Sequence, residues 1–382
     1  MSEYQYFEFQ AIDRPLTVDE MAELRRCSSR AEITPTRFWN EYQWGDFKGN
    51  PRRWMERHFD AFLHVANWGT HWLMLRLPLE LTSLSDVGDY LLEDGIQGWQ
   101  TAEHLVLSFR SETDEPDWEE GGGWLSSLIG VRACLIRGDR RSLYLGWLAQ
   151  AQTRQLDQTA CEPPVPPGLG ALDAAHRALA DFLRIPDDLV VAASESSASL
   201  QVPVIDTAEI ARWVADRSAA EKDALLTELV VGDQPHRLAL LRQQIERALT
   251  PVDPGDGPKV RRTLGELLAR ADIISRDRRA REAAARAAEQ AREAAEAAAA
   301  RKRYLAALHG REEELWRKVD DLIGYRQAST YKEAVNRLED LRDLADADDS
   351  LDTFSARIRR LRESHGRKST LIRRLDEAGL VG

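Results

Sequence analysis

Bulky apolar residues crowd the front of this chain and give way to alanine, arginine and glutamate behind. Nine of eleven Trp fall in residues 1–150, and residues 250–302 contain no aromatic residue. Within the front part the spacing changes repeatedly between two and three to four. Residues 4–12 partly alternate and predict a strand. Thr17-Val18-Asp19-Glu20 has the form of a capping box, with Leu16 and Met21 at the flanking apolar positions, and predicts a short helix to Cys27. Residues 32–42 read as extended and residues 44–49 as a turn. Asn50 then caps a helix with Pro51 at its first position. Trp54, His58, Phe62 and Val65 fall at helical spacing and extend that helix. Strands are predicted over 72–77 and 102–109. Helices are predicted over 85–92, 124–136 and 143–152, with an acidic, glycine-ending loop over 112–123. Strands and helices thus alternate, which predicts an α+β head domain over residues 1–160.

The rest of the chain reads as all-α. Residues 161–168 form a Pro-rich linker that cannot continue a helix. Residues 169–250 predict a helical middle domain. It holds short helices at 172–183 and 187–193, one at 206–215, one opened by a capping box at Ser218 and Glu221 and ended by Gly232, and one over 235–248. A second linker covers 251–258. A long coiled-coil-like helix is expected over 259–325, with Leu264, Leu267, Leu268, Ala271 and Ile274 on one stripe and Gly310 as its weak point. One seven-residue register holds Leu267, Ile274, Ala288 and Ala295, with Arg281 breaking it. A capping box at Thr330 and Glu333 opens a C-terminal helical bundle over 326–382.

Charge sharpens this division. The chain carries net −12, distributed as −17 over residues 1–258, +6 over 259–309 and −1 over 310–382. The acidic total argues against a molecule that coats nucleic acid or an anionic membrane. Cys27, Cys134 and Cys161 are the only cysteines. Their odd number and wide spacing predict no disulfide framework and point to a reducing cytoplasm. No apolar run reaches the ~20 residues of a membrane helix, and no signal peptide is expected.

Candidate chemistry is sparse. Trp44, Asp46, Phe47 and Lys48 form the best surface-loop candidate, although a turn whose Trp44 and Phe47 plug the core explains the same residues. His58, His64, His71 and His104 lack metal-ligand spacing, so no metal and no cofactor is expected. Cys134 could pair with a remote His as a nucleophile, but nothing near it in sequence marks a thiolate. No phosphate loop, dinucleotide fingerprint or nucleophile elbow occurs, and no catalytic residue is assigned. Two basic clusters are candidates for nucleic-acid contact. One is Arg276, Arg278, Arg279 and Arg281. The other is Arg357, Arg359, Arg360, Arg362, Arg367, Lys368, Arg373 and Arg374. No recognised nucleic-acid-binding motif accompanies either.

Phe9-Gln10-Ala11-Ile12-Asp13-Arg14-Pro15-Leu16 and Trp44-Gly45-Asp46-Phe47-Lys48-Gly49 resemble segments of a group of uncharacterised bacterial proteins. The resemblance implies a bacterial origin and carries no activity. The leading expectation is a non-catalytic interaction or scaffold protein of the bacterial cytoplasm, acting on a protein partner or on itself through the long helix. The alternatives are an accessory factor that binds nucleic acid through the basic helices, and an enzyme with an aromatic-lined pocket in the head.

Overall fold

A computed structural model of the chain describes residues 4–93, 95–115, 118–153, 156–200, 206–231, 237–249 and 261–381. The chain has an N-terminal α+β part followed by an all-helical part. It divides into two compact units, Met1–Arg278 and Arg279–Gly382.

The first unit is built on β1 (Gln5–Gln10), β2 (Glu32–Thr34), β3 (Arg37–Tyr42), β4 (Ala61–Ala66), β5 (His71–Pro78), β6 (Ile96–Gln100) and β7 (His104–Ser111). They form one antiparallel sheet in the order β2-β3-β1-β4-β5-β7-β6. Side-chain alternation divides its residues between two cores. Phe7, Phe9, Phe38, Phe62 and Met74 pack with α1 (Val18–Cys27) and α2 (Pro51–Arg57). Tyr6, Leu63, Leu75, Leu107 and Phe109 face the other way, with α4 (Trp124–Ile136) and α5 (Arg141–Ala151). Between strands lie the short α3 (Leu84–Val87) and a single 3₁₀ turn, Gly88–Tyr90.

The capping box at Thr17 and Glu20 is formed, and Asn50 caps α2. The helix expected through Val65 is not. It stops at Arg57, and Ala61–Ala66 is the middle strand of the seven. All six residues of β4 are buried. A run apolar on every side suits a strand covered on both faces, whereas an amphipathic helix needs a polar face. Strand β6 was missed because Gly98 and two glutamines dilute its apolar signal.

Residues 161–168 do not separate two cores. Leu169, Leu179 and Phe182, together with Leu264 and Leu267, join the same cluster as the sheet. They bring in α6 (Ala174–Phe182), α7 (Asp187–Ser194) and the start of α11 (Leu264–Leu308). Glu162 fastens these pieces. It accepts from the Tyr144 hydroxyl and from both Nε and a terminal nitrogen of Arg262, at 2.6 and 2.9 Å, while Arg262 also donates to Ala192 O at 2.9 Å. The helices α8 (Thr207–Ala215), α9 (Ala219–Val231) and α10 (Arg237–Leu249) complete the unit. Ser218 and Glu221 cap α9 as expected. Gly232 and residues 251–258 lie outside the described residues.

Helix α11 is shorter than the sequence suggested. It ends at Leu308 because Gly310 takes a left-handed φ of 80°, and α12 (Glu312–Gly324) restarts after it. Residues 276–304 of α11 are exposed throughout. In the second unit α12, α13 (Ala328–Ala347), α14 (Leu351–His365) and α15 (Ser369–Glu377) share a core of Trp316, Ile323, Leu338, Ile358 and Leu371. Arg301 and Tyr304 at the end of α11 bind Asp340 of α13 at 2.5 and 2.8 Å. The expected capping box at Thr330 is absent. Helix α13 begins three residues earlier, with Gln327 at its N-cap, and the Thr330 hydroxyl donates to Gln327 O at 2.9 Å.

Candidate functional site

A cavity of about 1070 Å³ opens beside α4 in the first unit. One wall is the apolar edge of α4, with Ile129, Ala133 and Ile136. Val165 with its neighbouring prolines, Leu200 and Leu238 of α10 supply the others. The Pro-rich segment is held in place where the Tyr90 hydroxyl donates to Pro164 O at 2.8 Å. The remaining boundary is polar and begins with a buried ionic network. Asp60, fully buried at the start of β4, accepts from the Ile12 and Asp13 amides at 2.6 and 2.9 Å and from Arg76 at 2.8 Å. Arg132 binds Asp13 at 2.6 Å and Arg76 O at 2.7 Å. Burial alone would raise Asp60, but Arg76, Arg132 and the two amides outweigh it and hold its pKa below the ordinary carboxylate value.

The C-terminal end of α4 carries groups able to act as ligands. Cys134 lies in its last turn, Gly138 turns the chain with φ 84°, and Asp139 follows. Helix α6 approaches α4 at Gly130, where an added Cβ would stand 2.9 Å from the Ala175 Cβ. That contact lets His176, in the first turn of α6, reach Cys134 and Asp139. One donor atom from each of the three lies within 4.8 Å of the others. Asp173 caps α6, accepting from the His176 amide at 3.0 Å and pairing with its Nδ1 at 2.9 Å. A carboxylate can only accept, so Nδ1 carries the proton. His176 Nε2 is buried without a hydrogen-bond partner among the described residues and lies 3.8 Å from Asp139 Oδ2.

Guanidinium groups surround this cluster. Arg141 binds Asp139 at 2.7 Å and Asp173 at 3.1 Å, and Arg137 donates to Cys134 Sγ at 3.2 Å. Burial pushes the Cys134 thiol up, with Arg137 opposing. Burial also raises Asp139, but its bonds from Arg141 win and keep it below the usual range. Arg132 and Arg141 are committed to carboxylates. Arg137 and Arg140 are exposed on the cavity rim and form no ion pair among the described residues.

The metal-spacing reading considered His58, His64, His71 and His104, and His176 was not among them. His176 is 42 residues from Cys134, and only the close packing of α4 and α6 joins them. Among the earlier candidates, His58 bonds Glu20 at 3.4 Å, His64 stacks on Phe7 at 4.2 Å, and His71 stacks on Phe182.

The loop candidate divides. Phe47 is buried against Phe7 and Trp54, Asp46 caps the Phe47 amide at 2.7 Å, and Lys48 is exposed. Trp44 does not plug the core, being 80% exposed. A second cavity, of about 470 Å³, holds Trp72 and Trp99. Their rings are already covered by Arg110 and Arg52, at 5.7 and 4.1 Å, and their indole N–H groups donate to Ser108 and Glu56.

Most of the basic clusters is engaged within the chain. Arg278 pairs with Asp188, Arg357 with Glu313, Arg362 with Asp376 and Arg373 with Glu377. Lys368 donates to Ile323 O and Arg276 to Asp272 O. Arg279, Arg359, Arg360 and Arg367 are exposed and, like the half-buried Arg374, form no ion pair among the described residues, whereas Arg281 is exposed on α11 but engaged.

No family model, curated protein or solved structure matches the chain. Among the described residues no helix is long and apolar enough to cross a membrane.

Proposed function

We propose that the first unit is a small-molecule-recognition domain that binds an organic anion with an apolar body. The observation carrying this reading is the pairing of a large apolar-walled cavity with two rim guanidiniums, Arg137 and Arg140, that have no carboxylate partner among the described residues. Ligand sites are concave, mostly apolar, and oriented by a few polar groups. Ile129, Ile136, Val165, Leu200 and Leu238 give the cavity a mainly aliphatic wall that suits an apolar ligand body, beside Tyr90 and a polar rim. Paired guanidiniums suit a carboxylate or phosphate at one end of the ligand.

The test is calorimetric titration of the purified full chain with matched sets of aliphatic carboxylates, aliphatic phosphates and their neutral alcohols. Saturable binding confined to the anionic sets supports the proposal. A charge-assisted hydrogen bond contributes about 1.5–3 kcal/mol. The Arg137→Ala/Arg140→Ala double variant is therefore expected to weaken binding by about tenfold or more. Equal binding of the neutral alcohols, or no loss in the double variant, would reject it.

The interaction-protein reading keeps one support, and it lies away from the long helix. Leu226, Leu229 and Val230 of α9 are exposed, Val230 at 83%. The exposed stretch 276–304 of α11 offers no large aliphatic seam, and alanine contacts alone make a weak coiled coil. A captured partner released by Val230→Ser would shift the weight to this second reading.

A further inference from the structure

We infer that Cys134, Asp139 and His176 form a mononuclear transition-metal site, suited best to Zn²⁺, whose fourth position faces the large cavity. The inference does not rest on the cavity's ligand. It starts from His176 Nε2, a fully buried nitrogen without a hydrogen-bond partner among the described residues. With the Nδ1 proton committed to Asp173, Nε2 presents a lone pair. That lone pair converges with a carboxylate oxygen 3.8 Å away and with the Cys134 sulfur. Three electron-pair donors facing one another can hold a cation between them.

The spacing and chemistry fit a metal. Bonds of about 2.0–2.3 Å in a tetrahedral zinc site separate the donors by roughly 3.3–3.8 Å, so the observed group closes with small side-chain adjustments. Sulfur, imidazole nitrogen and carboxylate oxygen are all ordinary zinc ligands, and three protein ligands leave one position open. The supporting bonds also match. A metal-bound imidazole usually donates its other N–H to a carboxylate, as His176 does to Asp173. Asp139 is oriented by Arg141, and the Cys134 sulfur accepts from Arg137.

Charge does not forbid the ion. Binding releases the Cys134 proton. A dication, thiolate, two carboxylates and two guanidiniums then sum to a single positive charge beside the cavity. Cys134 is 6% exposed and lines the cavity, so the open position is reachable from that side. The competing occupant is a proton, which would make His176 an imidazolium beside an ordinary thiol.

Co²⁺ titration of reduced, chelator-stripped full-length protein separates these cases. One equivalent is expected to bind, with the visible bands of tetrahedral cobalt and a near-ultraviolet thiolate charge-transfer band, and Zn²⁺ should displace it. Cys134→Ser should abolish the charge-transfer band, whereas the Cys27→Ser/Cys161→Ser double variant should retain it. Asp173→Asn should weaken binding about 10–100-fold through its hold on His176. A second readout needs no variant to fold. Zn²⁺ should protect Cys134 from alkylation, mapped by mass spectrometry, while exposed Cys161 stays reactive. No saturable Co²⁺ binding, an unchanged spectrum in folded Cys134→Ser, or Cys134 alkylated equally with and without Zn²⁺ would each overturn the site.

Discussion

A buried histidine gives the first unit a built-in pH dependence. His64 of β4 stacks on Phe7, and its Nε2 has no hydrogen-bond partner among the described residues. Burial first, then the positive charge of Arg110 and His71, brings its pKa down to about 4. The folded state therefore holds it neutral while the unfolded chain binds a proton below ~6.5. This contribution to stability is complete above pH ~6.5 and is lost as pH falls toward 4, the total being about 3 kcal/mol. Asp60 acts in the same direction but in a lower window, because its depressed pKa takes effect only when carboxylates protonate. Urea unfolding should thus show a lower midpoint at pH 5 than at pH 7.5, and His64→Leu should flatten much of that difference. An unchanged slope in the variant would mean that His64 titrates alike in both states. The sequence shows His64 only as a histidine in an apolar run, and its lost hydration follows from strand pairing on both sides.

Local chemistry was legible where it is local. The Thr17 box, the Asn50-Pro51 start and the Gly310 break each depend on a few adjacent residues, and each appears as read. Apart from the Thr330 box, what failed depends on distant packing. Ala61–Ala66 looks helical by spacing, yet it is a strand because β1 and β5 flank it and helices cover it. Thr263 and Glu266 cap α11 by the same reciprocal bonds as the Thr17 box, a signal that was available and missed. The candidate site belongs to the distant class, since Cys134, Asp139 and His176 share no motif spacing. Their meeting requires two helices to touch at Gly130, which lacks the side chain that would hold them apart. Gly130→Val should force α6 away from α4 and destabilise the fold by about 1–3 kcal/mol, as overpacking does. Ala175→Gly in the same chain should recover part of the loss in thermal or urea unfolding. A Gly130→Val chain as stable as wild type would show that the contact is loose and that the cluster is not held by it.

At the scale of the whole molecule the decisive contrast is between total charge and local charge. Reading the sequence as an acidic body with basic helices leaves a nucleic-acid function open, because a local cluster can bind phosphate against an unfavourable total. The structure shows where those cations go. In the second unit Arg357, Arg362 and Arg373 each face a carboxylate of a neighbouring turn or helix, and Lys368 donates to a backbone carbonyl. Exposed pairs of this kind are individually weak, so they do not lock the cations away. They do place a negative charge beside each positive one, and phosphate would have to displace it or accept its repulsion. Of the C-terminal cluster, three exposed guanidiniums, Arg359, Arg360 and Arg367, are left without ion pairs among the described residues, on a chain of net −12. Three phosphate contacts on duplex DNA give a salt slope of only about −3 and little affinity near physiological ionic strength. Fluorescence-anisotropy titrations of the full chain should therefore show at most weak binding to duplex DNA or single-stranded RNA at 20 mM salt, vanishing by about 150 mM. Sequence-selective binding that persists at the higher salt, and falls on Arg359→Ala/Arg360→Ala, would return the basic helices to the centre of the function.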